Sequence, residues 1–197
     1  MNKKRVNKMQ INKINRKKIE KKELKEVLAT LEDSQEIANI QEQIKKETLK
    51  DKKGKPVFIA DSKEYIERII KSKRGCVVLY YDANELVAFF EFTCPDNYYE
   101  LVEEYRLKQY LPYEDYKKIG VAESFVVMPP YRGNGLQVQM FERMKEIALE
   151  NKVTSIIGIV HPENIYSCNN FDICQYETLA VIEIYDSIRL LKYKKLV

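Results

Sequence analysis

Apolar and polar positions along the chain fall into two patterns. Short β-rich runs over Cys76 to Tyr81, Glu85 to Thr93, Val121 to Val127, Ser155 to Val160, Glu177 to Tyr185 and Ile188 to Lys195 predict strands. Asp82-Ala83-Asn84 and Asp186-Ser187 read as the turns of two hairpins. Elsewhere the spacing is helical. Ile37, Ile40 and Ile44 predict a helix over 34–48, with Asp33 or Ser34 as its cap. Tyr65, Ile66, Ile69 and Ile70 share one face of a second helix that Ser62 can cap. Gly135 to Asn151 predicts a third, and Ile165 to Phe171 a short fourth. Ile19 to Thr30 suits an extended strand or a helix equally. Lys50 to Pro56 is a polar loop, and Pro95 to Lys118 interrupts the strands.

Composition adds bounds to this picture. A chain of 197 residues suits one domain with a proper core. No apolar run approaches the roughly 18 residues of a membrane span, and the N-terminus has charge without the apolar stretch of a secretory signal. The cysteines Cys76, Cys94, Cys168 and Cys174 lack close-pair metal spacing, so reduced thiols of a cytoplasmic protein and no metal are expected. Charge is uneven. Residues 1–25 carry eleven Lys/Arg and two acids, +9, so the rest carries −5 against a total of +4. Residues 1–18 are expected to form a basic, disordered arm ahead of one domain over 19–197. No aromatic residues interleave its charges, so nucleic acid is not an expected partner.

The richest stretch is Val127-Met128-Pro129-Pro130-Tyr131-Arg132-Gly133-Asn134-Gly135-Leu136-Gln137. A strand ends in a proline pair, a loop with two glycines follows, and a helix begins. The first N–H groups of a helix have no partner within it, and its dipole adds positive charge there. Gly133 and Gly135 let an anion approach that backbone, and Arg132 adds a cation matched to phosphate. No Gly-Lys-Ser/Thr follows, so this is not a Walker loop. It is a poor dinucleotide fingerprint too, because Gly135 is not followed by a glycine or alanine three residues on.

The stretch closely resembles the acetyl-CoA signature of the GCN5-related N-acetyltransferase (GNAT) superfamily. Val127, Pro129, Tyr131, Arg132, Gly133 and Gly135 stand in register with it, and Gln137 departs from it. A second motif of that family fits at Asn164, Ser167 and Tyr176, with Phe171 at its tyrosine position and Gln175 at its glycine position. The resemblance implies an α/β fold: a GNAT-type mixed, mostly antiparallel sheet with helices on both faces. Its two central parallel strands, carrying Val127 and Val160, splay apart to admit acetyl-CoA.

The resemblance further implies that backbone groups of Phe125, Val126 and Val127 face the pantetheine and thioester. Arg132, Gly133, Asn134, Gly135, Leu136 and Gln137 would hold the pyrophosphate, and Asn164 and Ser167 would line the cofactor arm. Asn164 could equally cap the helix that follows it. The reaction implied is acetyl transfer to a primary amine of a small molecule, amino acid or peptide. The alternative is a catalytically weak acyl-CoA-binding or regulatory module. Acetyl-CoA and an amine are the expected partners, and a homodimer is compatible with the sequence.

A free lysine-type amine holds its proton to about pH 10.4, so a general base helps. Glu123 is the foremost candidate, on a strand whose alternation would set it beside Phe125 and Val127 and opposite Val126. His161, the only histidine, follows the last parallel strand. Phe171 has no proton to give a leaving thiolate, so Tyr176 or Tyr166 serves, or water does, or this member is slow or non-catalytic. The tyrosines and acids between Asp96 and Lys118 suit a cationic acceptor, or simply a helix packed on the sheet.

Overall fold

The apolar runs become strands, and their pairing sets up the site. The structure, a computed structural model, describes residues 24–72, 74–95 and 98–197. The expected basic arm over 1–18 lies outside the described residues. Within 24–30 a strand wins over a helix: β1 (Lys25–Leu28) pairs antiparallel with β2 (Cys76–Asp82), which forms a hairpin with β3 (Glu85–Thr93). After them come β4 (Ile119–Val127), β5 (Ser155–Val160), β6 (Glu177–Ile184) and β7 (Ser187–Lys195). The sheet order is β1-β2-β3-β4-β5-β7-β6, antiparallel throughout except for β4 against β5.

Helices cover both faces. On one lie α1 (Ser34–Glu47) and α2 (Lys63–Lys71), whose Ile37, Ile44, Ile66 and Ile69 bury against Val77, Leu79, Phe89 and Val126. Ser62 caps α2 as expected, accepting the Tyr65 N–H at 3.2 Å. The interruption between β3 and β4 forms two short helices, α3 (Tyr98–Glu104) and α4 (Tyr113–Tyr116). Val102, Tyr105, Leu107 and Tyr116 of this segment pack on Val121, Ile157, Leu191 and Tyr193. The opposite face carries α5 (Leu136–Glu150) and α6 (Ile165–Ile173). Leu136, Met140, Phe141, Met144, Ile147 and Ala148 of α5 recur at helical spacing and fill the core with Phe90, Phe92 and Phe171. Apolar cover on both faces explains why β3 reads as a nearly continuous apolar run.

Two irregularities matter for function. β4 and β5 pair only through Ile119↔Ser155 to Ala122↔Gly158. Beyond that point β4 follows β3 as far as Val127, while β5 stays with β7 through Val160↔Leu190. The two central strands therefore part where expected. The second is a β-bulge. β3 meets β4 through Phe90↔Phe125 in one register and through Phe92↔Ala122 in another, so Glu91 alone faces both Glu123 and Ser124. The extra residue resets the alternation. Phe125 stacks on Phe141 of α5 at 4.3 Å between ring centres. Glu123 and Ser124 both turn to the α2 face, where Tyr65 and Asp61 bond them. Glu123 thus does not share a face with Phe125 and Val127, as unbroken alternation required.

At Gly158, beside the splay, the Phe171 ring approaches the backbone closely. A Cβ there would lie 2.9 Å from Phe171 Cζ and 3.3 Å from the Ala122 carbonyl oxygen. Phe141 and Tyr176 hold that ring from behind at 4.9 and 5.1 Å, so it has little room to retreat. Gly158→Ala is expected to cost about 1–3 kcal/mol through overpacking, read as a lower denaturation midpoint in urea.

Candidate functional site

Where β4 and β5 part, a cavity of about 980 Å³ passes through the sheet. On the α5–α6 side Gln137, Asn164, Ser167 and Phe171 line it, and on the α2–α3 side Tyr65, Thr93, Glu104, Tyr105 and Tyr185. Glu123 stands between the two sets. Its Oε1 accepts hydrogen bonds from Tyr65 Oη and Thr93 Oγ1, each at 2.8 Å. Burial is the largest influence on this carboxyl and raises it. The two hydroxyl donors oppose that, and the negative charges of Asp61 and Glu104 add to it, leaving Glu123 at about 7. A carboxyl that titrates near neutrality and opens on a cavity is suited to move a proton.

The loop from Met128 to Gly135 is firmly built. Tyr131 is fully buried, and its hydroxyl reaches Glu85 Oε2 at 2.7 Å across the β2–β3 hairpin. Asn134 Nδ2 donates to the Tyr131 carbonyl at 2.8 Å, folding the loop on itself. Gly133 and Gly135 take φ of 81° and 70°, the left-handed region that glycine enters at least cost. A Cβ on Gly135 would meet nothing within 4 Å. The chain thus leaves open space beside Gly135 at the start of α5, and this arrangement fits a pyrophosphate.

Gln137, the departure from the family signature, takes no part in closing that space. Its Oε1 accepts from Asn170 Nδ2 at 2.7 Å and its Nε2 donates to Ser167 Oγ at 3.2 Å. The amide is spent on joining α5 to α6. Asn164 does cap α6, its Oδ1 accepting the Ser167 N–H at 3.2 Å, while it also lines the cavity. At the family's glycine position, Gln175 adopts the same left-handed backbone with φ 62°.

Backbone direction on β4 follows from one bond. The Met128 N–H donates to the Val87 carbonyl at 2.9 Å, so Met128 and Val126 point at β3. Phe125 and Val127, the alternate residues, point their N–H and C=O groups into the splay. Arg132 Nε already donates to the Val127 carbonyl there, at 2.9 Å.

The remaining candidates are placed differently. His161 lines the cavity but is only 3% exposed. Its Nδ1 accepts the Glu163 N–H at 3.1 Å and its Nε2 lies 3.5 Å from Asp51 Oδ2. Both nitrogens are engaged, which suits a residue that pins the Lys50 to Pro56 loop. Arg189 pins the same loop, donating to the Val57 carbonyl at 2.6 Å and to the Pro56 carbonyl at 3.1 Å. Tyr176 lies outside the cavity lining. It is buried against Phe141 and Phe171, and burial raises its hydroxyl far above the usual tyrosine range. Proximity in sequence had made it a candidate proton donor, but the turn after α6 folds it into the core instead.

Tyr65 and Thr93, the partners of Glu123, carry no motif. They come from α2 and the end of β3, 58 and 30 residues before it. One signal was present for Glu91: a charged residue inside the apolar run Phe89-Phe90-Glu91-Phe92.

The family model for the acetyltransferase (GNAT) family matches residues 37–174. The chain belongs to this family. Acetyl-CoA is the acetyl donor that GNAT acetyltransferases use. A GNAT acetyltransferase from Streptococcus pneumoniae is 16% identical, with TM-score 0.62 over 89% of this chain and 100% of that one. Ard1 from Thermoplasma volcanium is 10% identical, with TM-score 0.65 over 89% and 99%. The yncA protein from Salmonella typhimurium, solved with its cofactor acetyl-CoA, is 11% identical, with TM-score 0.62 over 88% and 94%. At these identities the likeness is one of fold. No curated protein matches the sequence.

Proposed function

We propose that this GNAT member transfers the acetyl group of acetyl-CoA to a primary amine of a small molecule, amino acid or peptide, with Glu123 as general base. One observation carries the reading. Glu123 sits where the two halves of the cavity meet, held by Tyr65 and Thr93, with a carboxyl at about 7.

On the donor side, the N–H groups at the start of α5 hold the pyrophosphate between Gly133 and Gly135. The Phe125 and Val127 backbone groups pair with the pantetheine amides as an added strand would. When bound, acetyl-CoA supplies the activated acyl group. On the acceptor side, Glu104, Tyr105 and Tyr185 face an incoming ammonium with negative charge and aromatic surface. Glu123 takes one proton from that ammonium, directly or through a water, and frees the nitrogen lone pair for attack. A coenzyme A thiol has a pKa near that of cysteine, about 8.5, so it can leave as thiolate without a protein acid at position 171.

A panel of primary amines spanning alkylamines, amino acids and short peptides, assayed for thiol release, tests the proposal. At least one acceptor is expected to give amine-dependent release, with kcat/KM rising as pH rises through about 7 and Glu123 loses its proton. Phe171, which cannot donate a proton, favours the second reading of a catalytically weak acyl-CoA-binding module. Tight acetyl-CoA binding without amine-dependent release anywhere in the panel would establish that reading instead.

A further inference from the structure

Behind Glu123 the core holds polar groups that packing alone does not call for. Glu91 and Gln41 are both 0% exposed. Gln41 Nε2 donates to Glu91 Oε1 at 2.6 Å, and Gln41 Oε1 accepts the Asp61 N–H at 2.8 Å. Ser124, the second residue of the bulge, donates its hydroxyl to Asp61 Oδ2 at 2.6 Å. Glu91 Oε2 is buried with no hydrogen-bond partner. These groups come from α1, β3, β4 and the segment before α2, and they meet where the bulge turns Glu123 and Ser124 to the same face. Apolar residues of similar volume often stabilise such a position as well or better, so stability alone does not account for the network.

We infer that Asp61, braced by Ser124 and Gln41 with Glu91 behind it, is a positioning residue that keeps Glu123 ready to accept a proton. The inference rests on Glu123 being the base. Asp61 lines the cavity beside Glu123 and is fixed from two directions, so its negative charge stands at a set place relative to that carboxyl. A like charge nearby disfavours ionisation, so Asp61 raises Glu123 and makes it the stronger base. Glu91 does not add a second charge. Burial, Asp61 and Glu123 push its carboxyl well above the usual range, so it stays neutral. Other titratable or charged groups surround the pair. Glu64, Tyr65, Arg68 and Lys71 come from α2, Glu100 and Glu104 from α3, and Tyr105 from the turn after it. Tyr185 and Arg189 come from the β6–β7 hairpin, and His161 follows β5. Tyr65 already donates to Glu123, Arg68 lies over the Tyr65 ring at 4.7 Å, and Arg189 is tied to backbone carbonyls. Asp61 is the acid that Ser124 and Gln41 hold in place on the cavity wall.

The first arm of the test needs no acceptor. Protein labelled with ¹³C at the glutamate side-chain carboxyl is titrated by NMR, and the Glu123 signal is identified by its loss in Glu123→Gln. The wild-type midpoint is expected at about 7. In Asp61→Asn, whose amide oxygen still accepts from Ser124, the midpoint is expected to fall by about one unit as the like charge disappears. Ser124→Ala, a milder change, is expected to shift it the same way by less. Glu91→Gln removes no charge and keeps the bond to Gln41, so the midpoint stays put. An unmoved midpoint in Asp61→Asn overturns the inference. So does a Glu91→Gln shift as large as that of Asp61→Asn, which would make Glu91 the charged neighbour. The acid limb of kcat/KM for an amine substrate separates the two proposals. If Glu123→Gln leaves that limb in place, the base reading falls and takes this inference with it. If Glu123→Gln removes the limb but Asp61→Asn does not move it, only the tuning role falls.

Discussion

Glu123→Gln is expected to lower kcat/KM for the amine acceptor by about 10²- to 10⁴-fold, the usual worth of a positioned general base. The affinity for acetyl-CoA should not change, because Glu123 faces the acceptor side and the pyrophosphate loop lies beyond the sheet. The substitution keeps volume and shape, and its amide oxygen can still accept from Tyr65 and Thr93 at the places Oε1 now holds. What it loses is the capacity to take a proton. The sign of the pH dependence follows from the raised carboxyl. Below about 7 wild-type Glu123 carries its proton and cannot act as base, and above it the ionised form dominates. Wild-type kcat/KM therefore rises through that range, and the rise should be missing from the variant. Steady-state kinetics between pH 5.5 and 9, with acetyl-CoA binding measured by calorimetry, checks both halves. A variant within threefold of wild type across that range would place the base elsewhere.

The expectation for Glu123 also shows what a linear reading can reach. The strand that carries it was visible as an apolar run, and the loop after it as a glycine-rich helix start. Both are local features, decided within a dozen residues. The position of Glu123 on its strand was visible too, but its direction was not. Period-two alternation has no way to register a bulge, because the extra residue exists only relative to the partner strand, where Glu91 faces two residues at once. The partners Tyr65 and Thr93 were hidden for a related reason. A tyrosine on an amphipathic helix and a threonine at a strand end look like packing residues until the sheet brings them to 2.8 Å of one carboxylate.

The misplaced residues follow the same physics. Tyr176 and Tyr166 were both near Phe171 in sequence, but the chain turns after α6. Tyr176 falls into the core, while Tyr166 stays 78% exposed. His161 follows directly after the splayed strand, yet the Lys50 to Pro56 loop, over a hundred residues earlier, closes on it through Asp51. Gln137 shows the opposite case. The signature marked it as a departure, and its long side chain could have entered the phosphate space. Ser167 and Asn170, in the first and second turns of α6, draw it away. Both of its amide atoms find partners there, so the substitution ties two helices together without filling the site.

The second large effect is expected at Gly135, where backbone and cofactor meet. Gly135→Val should weaken acetyl-CoA binding by about 100-fold, near 2.7 kcal/mol, with a smaller loss of stability. Two terms have to be told apart. Holding φ at 70° strains any L residue, at a cost of about 1–2 kcal/mol, and this term acts on the folded protein whether or not ligand is present. The second term appears only on binding. A Cβ at this position meets no protein atom within 4 Å, so the valine methyls extend into the open space beside the start of α5. An anion seated on the N–H groups there needs that space. Gly135→Ala separates the terms, since it carries most of the backbone strain and little of the bulk. Its melting temperature should fall almost as far as that of the valine variant, while its acetyl-CoA affinity falls distinctly less. Calorimetric titration with acetyl-CoA, beside thermal melts of the three proteins, gives both numbers. If Gly135→Val binds acetyl-CoA within threefold of wild type, the pyrophosphate does not lie on this loop, however well the loop is shaped for it. If alanine and valine lose affinity equally, bulk beyond Cβ is not what weakens binding.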